Sequence, residues 1–225
     1  MAALAGTGAH RSATAEALEV AIRASWVLVL CTELYRNPFL FPTSPLAELL
    51  RGGRFTAEHL LELASADAID QLHAMHVLAT AEFVELLAAP ATMEQGPVFT
   101  ASTLCAADAD LIVDGTLIEV KTRLGAANVR TGQHLDSQST SDIHQMLGYT
   151  LFDTHDTYRI RALALYSARY GRLHRWPMAE LLAALAGGPV DLGAERARVW
   201  ELLSQGDNPH APRKTTGSTL VRAEA

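Results

Sequence analysis

The chain has 225 residues, 49% of them apolar, and a net charge of −7. That is enough apolar content to bury a core, with one domain plus a helical extension as the simplest organisation. The acidic balance excludes a broadly basic nucleic-acid binder, no signal-peptide pattern opens the sequence, and Val27 to Cys31 is too short and too closely flanked by charge to span a membrane.

Residues 1–12 are small and polar and are expected to be unfolded. Residues 13–90 read as a helical region packed on the core. Ala13 to Tyr35 carries Leu18, Ile22, Trp26, Val29 and Leu30 near helical spacing. Asn37 to Pro45 reads as a Pro-rich turn. Further helices are predicted over 46–50, 57–64 and 66–88. His73 and His76 stand at i, i+3, but no third ligand accompanies them or His59, which favours structural roles. Cys31 and Cys105 lie far apart in apolar surroundings, so both are expected as free thiols in a reducing cytoplasm.

Residues 91–205 are predicted to form the main domain, with Pro97 to Thr103 as its first strand. The stretch from Asp110 to Lys121 carries the chemistry. Asp114-Gly115, flanked by apolar residues, suits a two-residue turn with positive φ at both positions. That turn pairs Val113 with Thr116, Ile112 with Leu117, Leu111 with Ile118 and Asp110 with Glu119. Asp108 then faces Lys121. Opposed residues share a face, as do residues two apart, so Asp110, Glu119 and Lys121 gather on one side. Two opposed carboxylates repel unless a cation sits between them. Mg²⁺ or Mn²⁺ suits that place, with the Val120 carbonyl as a third oxygen. Lys121 would orient a water or neutralise a phosphate. The same residues also suit a surface ion-pair cluster. Lysine usage favours the first reading, since Lys121 and Lys214 are the only lysines among 18 basic residues.

Ala126 to Thr140 reads as a loop bordering this site, mobile enough to close over a substrate strand. Ser141-Asp142 is predicted to N-cap a helix running to Phe152, which places Gln145 and Tyr149 at i, i+4 on one face. His144 adjoins Gln145. An apolar run from Ile160 to Tyr166, a turn at Gly171 and a strand over 173–178 follow. The D…E-x-K set followed by Q-x-x-x-Y resembles the PD-(D/E)xK nuclease superfamily in its RecB-like branch. The resemblance spans Pro97 to Met178. It implies a restriction-endonuclease-like α/β core, an α-β-β-β-α-β mixed sheet flanked by helices, here with an N-terminal helical extension. It implies Asp110, Glu119 and Lys121 as catalytic residues, a metal held by Asp110, Glu119 and Val120, and Gln145 and Tyr149 as substrate-binding groups. It also marks Glu33 as a further acid from an N-terminal helix. No proline precedes Asp110, and two cysteines cannot build the four-cysteine iron–sulfur cluster of some relatives.

C-terminal helices are predicted over 179–185 and 194–203, and 206–225 as a flexible tail. Charge is uneven along the chain. Residues 1–120 carry five basic and fifteen acidic side chains, whereas 121–175 carry eight basic and four acidic. Arg123, Arg130, Arg159, Arg161, Arg169, Arg172 and Arg175 either meet phosphate or pair with the acidic half. The expectation is a metal-dependent nuclease acting on DNA in repair or defence, with RNA left open and a protein partner for targeting. The competing reading is a non-catalytic module on the same fold that binds nucleic acid or a protein.

Overall fold

A computed structural model of the chain describes residues 14–36, 40–88 and 92–205. The expected unfolded segments at 1–12 and 206–225 lie outside them, as do residues 37–39 of the Pro-rich turn. Contacts divide the chain into two units, Met1–Pro90 and Ala91–Ala225.

The first unit holds α1 (Ala15–Arg36), α2 (Pro45–Arg51), α3 (Ala57–Leu61) and α4 (Ala66–Leu87). Each of the last three begins where a hydroxyl accepts an otherwise unpaired N–H. Ser44 caps through Leu46, Thr56 through His59 and Ser65 through Ala68. On α1 the inner face includes Leu18, Ile22, Trp26 and Leu30 at four-residue spacing, with Ile22 buried and Val27 half-buried beside them. Val29 lies off that face and is exposed, contrary to its expected place on it. α3 stops at Leu61, three residues short of the predicted end, where Glu62 forms the C-cap. Among the described residues, no helix is long and apolar enough to cross a membrane.

The second unit is an α/β assembly around a five-stranded mixed sheet in the order β1-β2-β3-β4-β5. Its strands are β1 (Met93–Gln95), β2 (Leu111–Val113), β3 (Thr116–Lys121), β4 (Ala162–Ser167) and β5 (Arg172–Pro177). Only β3 and β4 run parallel, and such a pair needs a long crossover. Helix α5 (Thr140–Phe152) supplies it. Helices α6 (Met178–Ala186) and α7 (Leu192–Gln205) follow β5, and α7 packs against α5. Ile112, Leu117, Leu163 and Leu165 line one sheet face and meet Met146 of α5, Met178 and Leu192 in a continuous core. β3 is buried on both faces from Thr116 to Glu119, so a well-protected strand carries the charged residues at its end.

The β2–β3 register is Val113 with Thr116, Ile112 with Leu117 and Leu111 with Ile118. Asp114 and Gly115 have φ of 46° and 70°, the two positive values a type I′ turn requires. Gly115 is needed for a second reason: a Cβ there would stand 2.6 Å from the Arg159 carbonyl oxygen.

Three expectations are corrected. The first strand begins at Met93 rather than Pro97, and Thr100–Thr103 is a 3-10 turn. The Ser102 hydroxyl drives that turn by accepting from Phe99 N–H and donating to the Ala107 carbonyl. The hairpin ladder ends at Leu111–Ile118, so Asp108 pairs across from Val98 and not Lys121. There the chain stays with the first strand, through Gly96 N–H to the Asp110 carbonyl and Ala109 N–H to the Pro97 carbonyl. Finally, the N-cap of α5 is Ser139 and not Ser141-Asp142. Ser139 and Asp142 form a reciprocal capping box, which places Asp142 inside the first turn.

Candidate active site

β3 ends by carrying Glu119 and Lys121 to the C-terminal edge of the sheet, both on the face that α5 covers. Glu119 is only 5% exposed. Its Oε1 accepts from Lys121 Nζ at 2.8 Å and from Gln145 Nε2 at 3.0 Å. The Gln145 carbonyl oxygen accepts from the same Lys121 Nζ at 3.0 Å. These three groups close a triangle, and Gln145 also donates to Tyr149 Oη at 2.5 Å. The four-residue spacing on α5 is what lets one side chain reach the strand and its helical neighbour together. The Tyr149 ring stacks on Phe99 at 5.6 Å, which fixes its direction.

Asp110 stands just before β2 and is exposed. Its Oδ2 accepts from Val120 N–H at 2.8 Å. This bond replaces the next rung of the ladder and explains why pairing stops at Leu111. In a strand, the N–H and C=O of one residue point to the same side. Lys121 C=O accepts from Ala168 N–H on the β4 side, so the polar groups of Val120 face the β2 side. The Val120 carbonyl therefore lies along the edge where Asp110 sits.

The electrostatics mark this as a costly arrangement. Burial pushes the Glu119 carboxyl above its usual range, and the nearby Asp110 charge adds to the push against the opposing Lys121. Its second oxygen, Oε2, is buried with no hydrogen-bond partner. Asp110 likewise keeps Oδ1 without a hydrogen bond among the described residues. Tyr149 is also raised, first by burial and then by the Glu119 and Asp108 charges, while its bond from Gln145 opposes this. Each acid thus has one committed oxygen and one spare, and the Val120 carbonyl lies on the Asp110 side. Two carboxylates and a main-chain oxygen suit a hard divalent cation that keeps waters for its other positions. Among the described residues, no group of three or more His, Cys, Asp or Glu forms a metal cluster, so the fit rests on that mixed oxygen set.

Several pairings near Lys121 carry no sign in the sequence, among them that of Arg123, one of the arginines expected to meet phosphate or to pair with the acidic half. Arg123 pairs with Asp142 of α5, one arm donating at 2.9 Å, and holds that carboxyl well below its usual range. The Ser139-x-x-Asp142 pattern signals the cap, but nothing in the sequence signals that Arg123 pairs with it. Asp136 pairs with His174 of β5 at 2.9 Å. Lys121 itself sits opposite Ser167 of β4.

His144 is exposed on α5. Glu33 belongs to the first unit, where its carboxylate accepts from Phe41 N–H at 2.9 Å. His59 Nδ1 lies 2.8 Å from the Thr56 hydroxyl, and both cysteines are free thiols. The basic segment does not form one patch. Arg159 and Arg161 approach Gly115 at the turn end of β3, Arg175 donates to Thr116, and Arg169 bonds the Thr122 carbonyl beyond its other end.

No protein-family model, no curated protein and no solved structure matches the chain.

Proposed function

We propose that the protein is a metal-dependent nuclease that hydrolyses phosphodiester bonds of DNA. The observation that carries the reading is the unpartnered, buried Oε2 of Glu119 beside Asp110. A fold that needed only an ion pair would not bury a carboxylate oxygen without a donor, because that costs stability. The strand–helix order β1-β2-β3-α5-β4 supports a restriction-endonuclease-like core, as do the acids and lysine at the end of β3.

Asp110, Glu119 and the Val120 carbonyl would hold Mg²⁺ or Mn²⁺. The cation, when bound, supplies charge for a phosphoryl oxygen and lowers the pKa of a water. Lys121 has three donors and uses two, on Glu119 and Gln145, which leaves one for the attacking water or the scissile phosphate. Gln145 holds that ammonium in place. Tyr149 accepts from Gln145 and keeps its own hydroxyl proton to offer to the substrate strand. A role in DNA repair or in defence against foreign DNA follows from the resemblance alone.

The test is incubation of the purified chain with single- and double-stranded DNA and with RNA, plus Mg²⁺ or Mn²⁺. Metal-dependent cleavage lost in Glu119→Ala and Lys121→Ala supports the reading. Cleavage that survives either change would sink it. The second reading, a non-catalytic binding module, is favoured by the closed Glu119–Lys121–Gln145 triangle, which pairs the lysine and one Glu119 oxygen without a cation. Calorimetric titration separates the two, since the module takes up no Mg²⁺ or Mn²⁺.

A further inference from the structure

Residues 125–137, which leave β3 just beyond Lys121, form a narrow two-stranded projection and not an unstructured loop. Ala127 pairs with His134. Asn128 N–H donates to the Gln133 carbonyl at 2.7 Å, Gly132 N–H to the Asn128 carbonyl at 2.8 Å and Leu135 N–H to the Ala126 carbonyl at 3.2 Å. The Asn128 side-chain oxygen accepts from Arg130 N–H at 2.9 Å and Thr131 N–H at 3.2 Å, which shapes the tip. At the base, Tyr170 Oη accepts from Gly125 N–H and donates to the Leu135 carbonyl, both at 3.2 Å. His134 Nδ1 donates to the Gly125 carbonyl at 2.7 Å. The two sides approach so closely that a Cβ on Gly125 would meet the Leu135 oxygen at 1.8 Å.

All this bonding presents a tip of unusual composition. Val129 is 104% exposed, as open as in an extended peptide, and Arg130 beside it is exposed. An apolar wedge next to a guanidinium, on a pre-shaped and narrow support, is the chemistry that enters a DNA minor groove. Single-strand binders rely instead on aromatic platforms that stack bases, and residues 122–139 contain no Phe, Tyr or Trp. Reach agrees. Val129 is eight positions beyond Lys121, so the tip lies at most about 29 Å from the lysine. That is inside the duplex repeat of about 34 Å.

We propose that this projection is a duplex-reading prong, with Arg130 and Val129 entering the minor groove within one helical turn of the scissile bond. The proposal rests on the nuclease reading and makes double-stranded DNA the substrate class. Tyr170 and Gly125 are positioning residues for the prong.

The test uses Lys121→Ala as parent, so that DNA is not cut, with Mg²⁺ and a fluorescent duplex or its separated strands. Arg130→Ala and Val129→Ser, made singly and together, are compared with that parent. Thermal unfolding checks that these exposed changes leave the fold intact. The expected result for the pair is duplex binding weakened about tenfold, with single-strand binding unchanged. A preference of the parent for A·T-tract over G·C duplex, as the minor groove permits, disappears with Arg130. Duplex binding unaltered by the double change, equal losses on duplex and single strand, or no duplex binding by the parent would each overturn the prong. Cleavage by the wild-type chain is scored separately. Its absence removes the nuclease reading without deciding whether the prong grips a duplex.

Discussion

The two ends of β3 lie about 17 Å apart and are built on opposite principles. At the turn end, every demand is met. Asp114 and Gly115 supply the required φ values, the Asp114 carboxylate accepts from Thr92, and Gly115 C=O accepts from Arg161 N–H at 2.8 Å. At the other end, demands are left open. Glu119 is buried with one oxygen unpaired, a second carboxylate stands close by, and the ladder breaks off early. One end is optimised for folding and the other keeps spare bonding capacity at a cost in stability. Local rule-breaking on a rigid support is where function is expected to reside.

The largest effect should come from the open end. Lys121→Ala is expected to lower DNA cleavage by about 10²–10⁴-fold, far more than the fall in folded population caused by loss of its ion pair with Glu119. Gel assays with Mg²⁺, beside circular dichroism melts, check this. Gly115→Ala should do the reverse. It forces a Cβ against the Arg159 carbonyl at a left-handed φ, which should cost about 1–3 kcal/mol in urea unfolding, with little change in activity per folded molecule. Equal loss of activity and stability in both variants would erase the contrast between the ends.

Asp142→Asn sharpens the contrast from α5. It removes the charge that pairs with Arg123 and that accepts at the helix cap, but keeps the shape. Arg123 is half-exposed, so solvent screens the pair and a loss of about 1–2 kcal/mol is expected. Asp142 has a depressed folded pKa. Its contribution is present above the usual carboxylate value of 3.8 and is lost as pH falls from there toward the lower folded value. Acid unfolding curves of wild type and variant should therefore converge below that window.

How far the sequence carried depended on the range of the forces involved. The type I′ turn, the register of Val113, Ile112 and Leu111, and the convergence of Gln145 with Tyr149 follow from local rules, and they were legible. The end of the ladder was not. Asp110 diverts Val120 N–H to its side chain, a bond between residues ten apart that no period encodes. For the same reason the role of Tyr170, which braces a projection 35 residues earlier in the chain, could not be read from spacing. The projection reads as a mobile loop because its bonds, main-chain bonds joined by those of Asn128, His134 and Tyr170, give no periodic sign in the polar residues of 126–140.

The smallest expected effect is also the one that bears most directly on the open end. In the metal-free protein the Glu119 carboxyl titrates above its usual 4.5, chiefly through burial and against the pull of Lys121. Between 4.5 and that raised value the folded state binds more protons than the unfolded state. Stability attributable to this group must then fall as pH rises through the window, the opposite of Asp142. Less than one proton is involved, so the slope is shallow, and Glu119→Gln should flatten it. Saturating Mg²⁺ should act differently from the mutation. Binding favours the ionised carboxylate, so it should pull the folded pKa down and reverse the slope in wild type while leaving Glu119→Gln unmoved. Urea unfolding at stepped pH, with and without Mg²⁺, reads both. A wild-type slope indifferent to Mg²⁺ would mean that the spare oxygen of Glu119 is a packing defect and not a ligand.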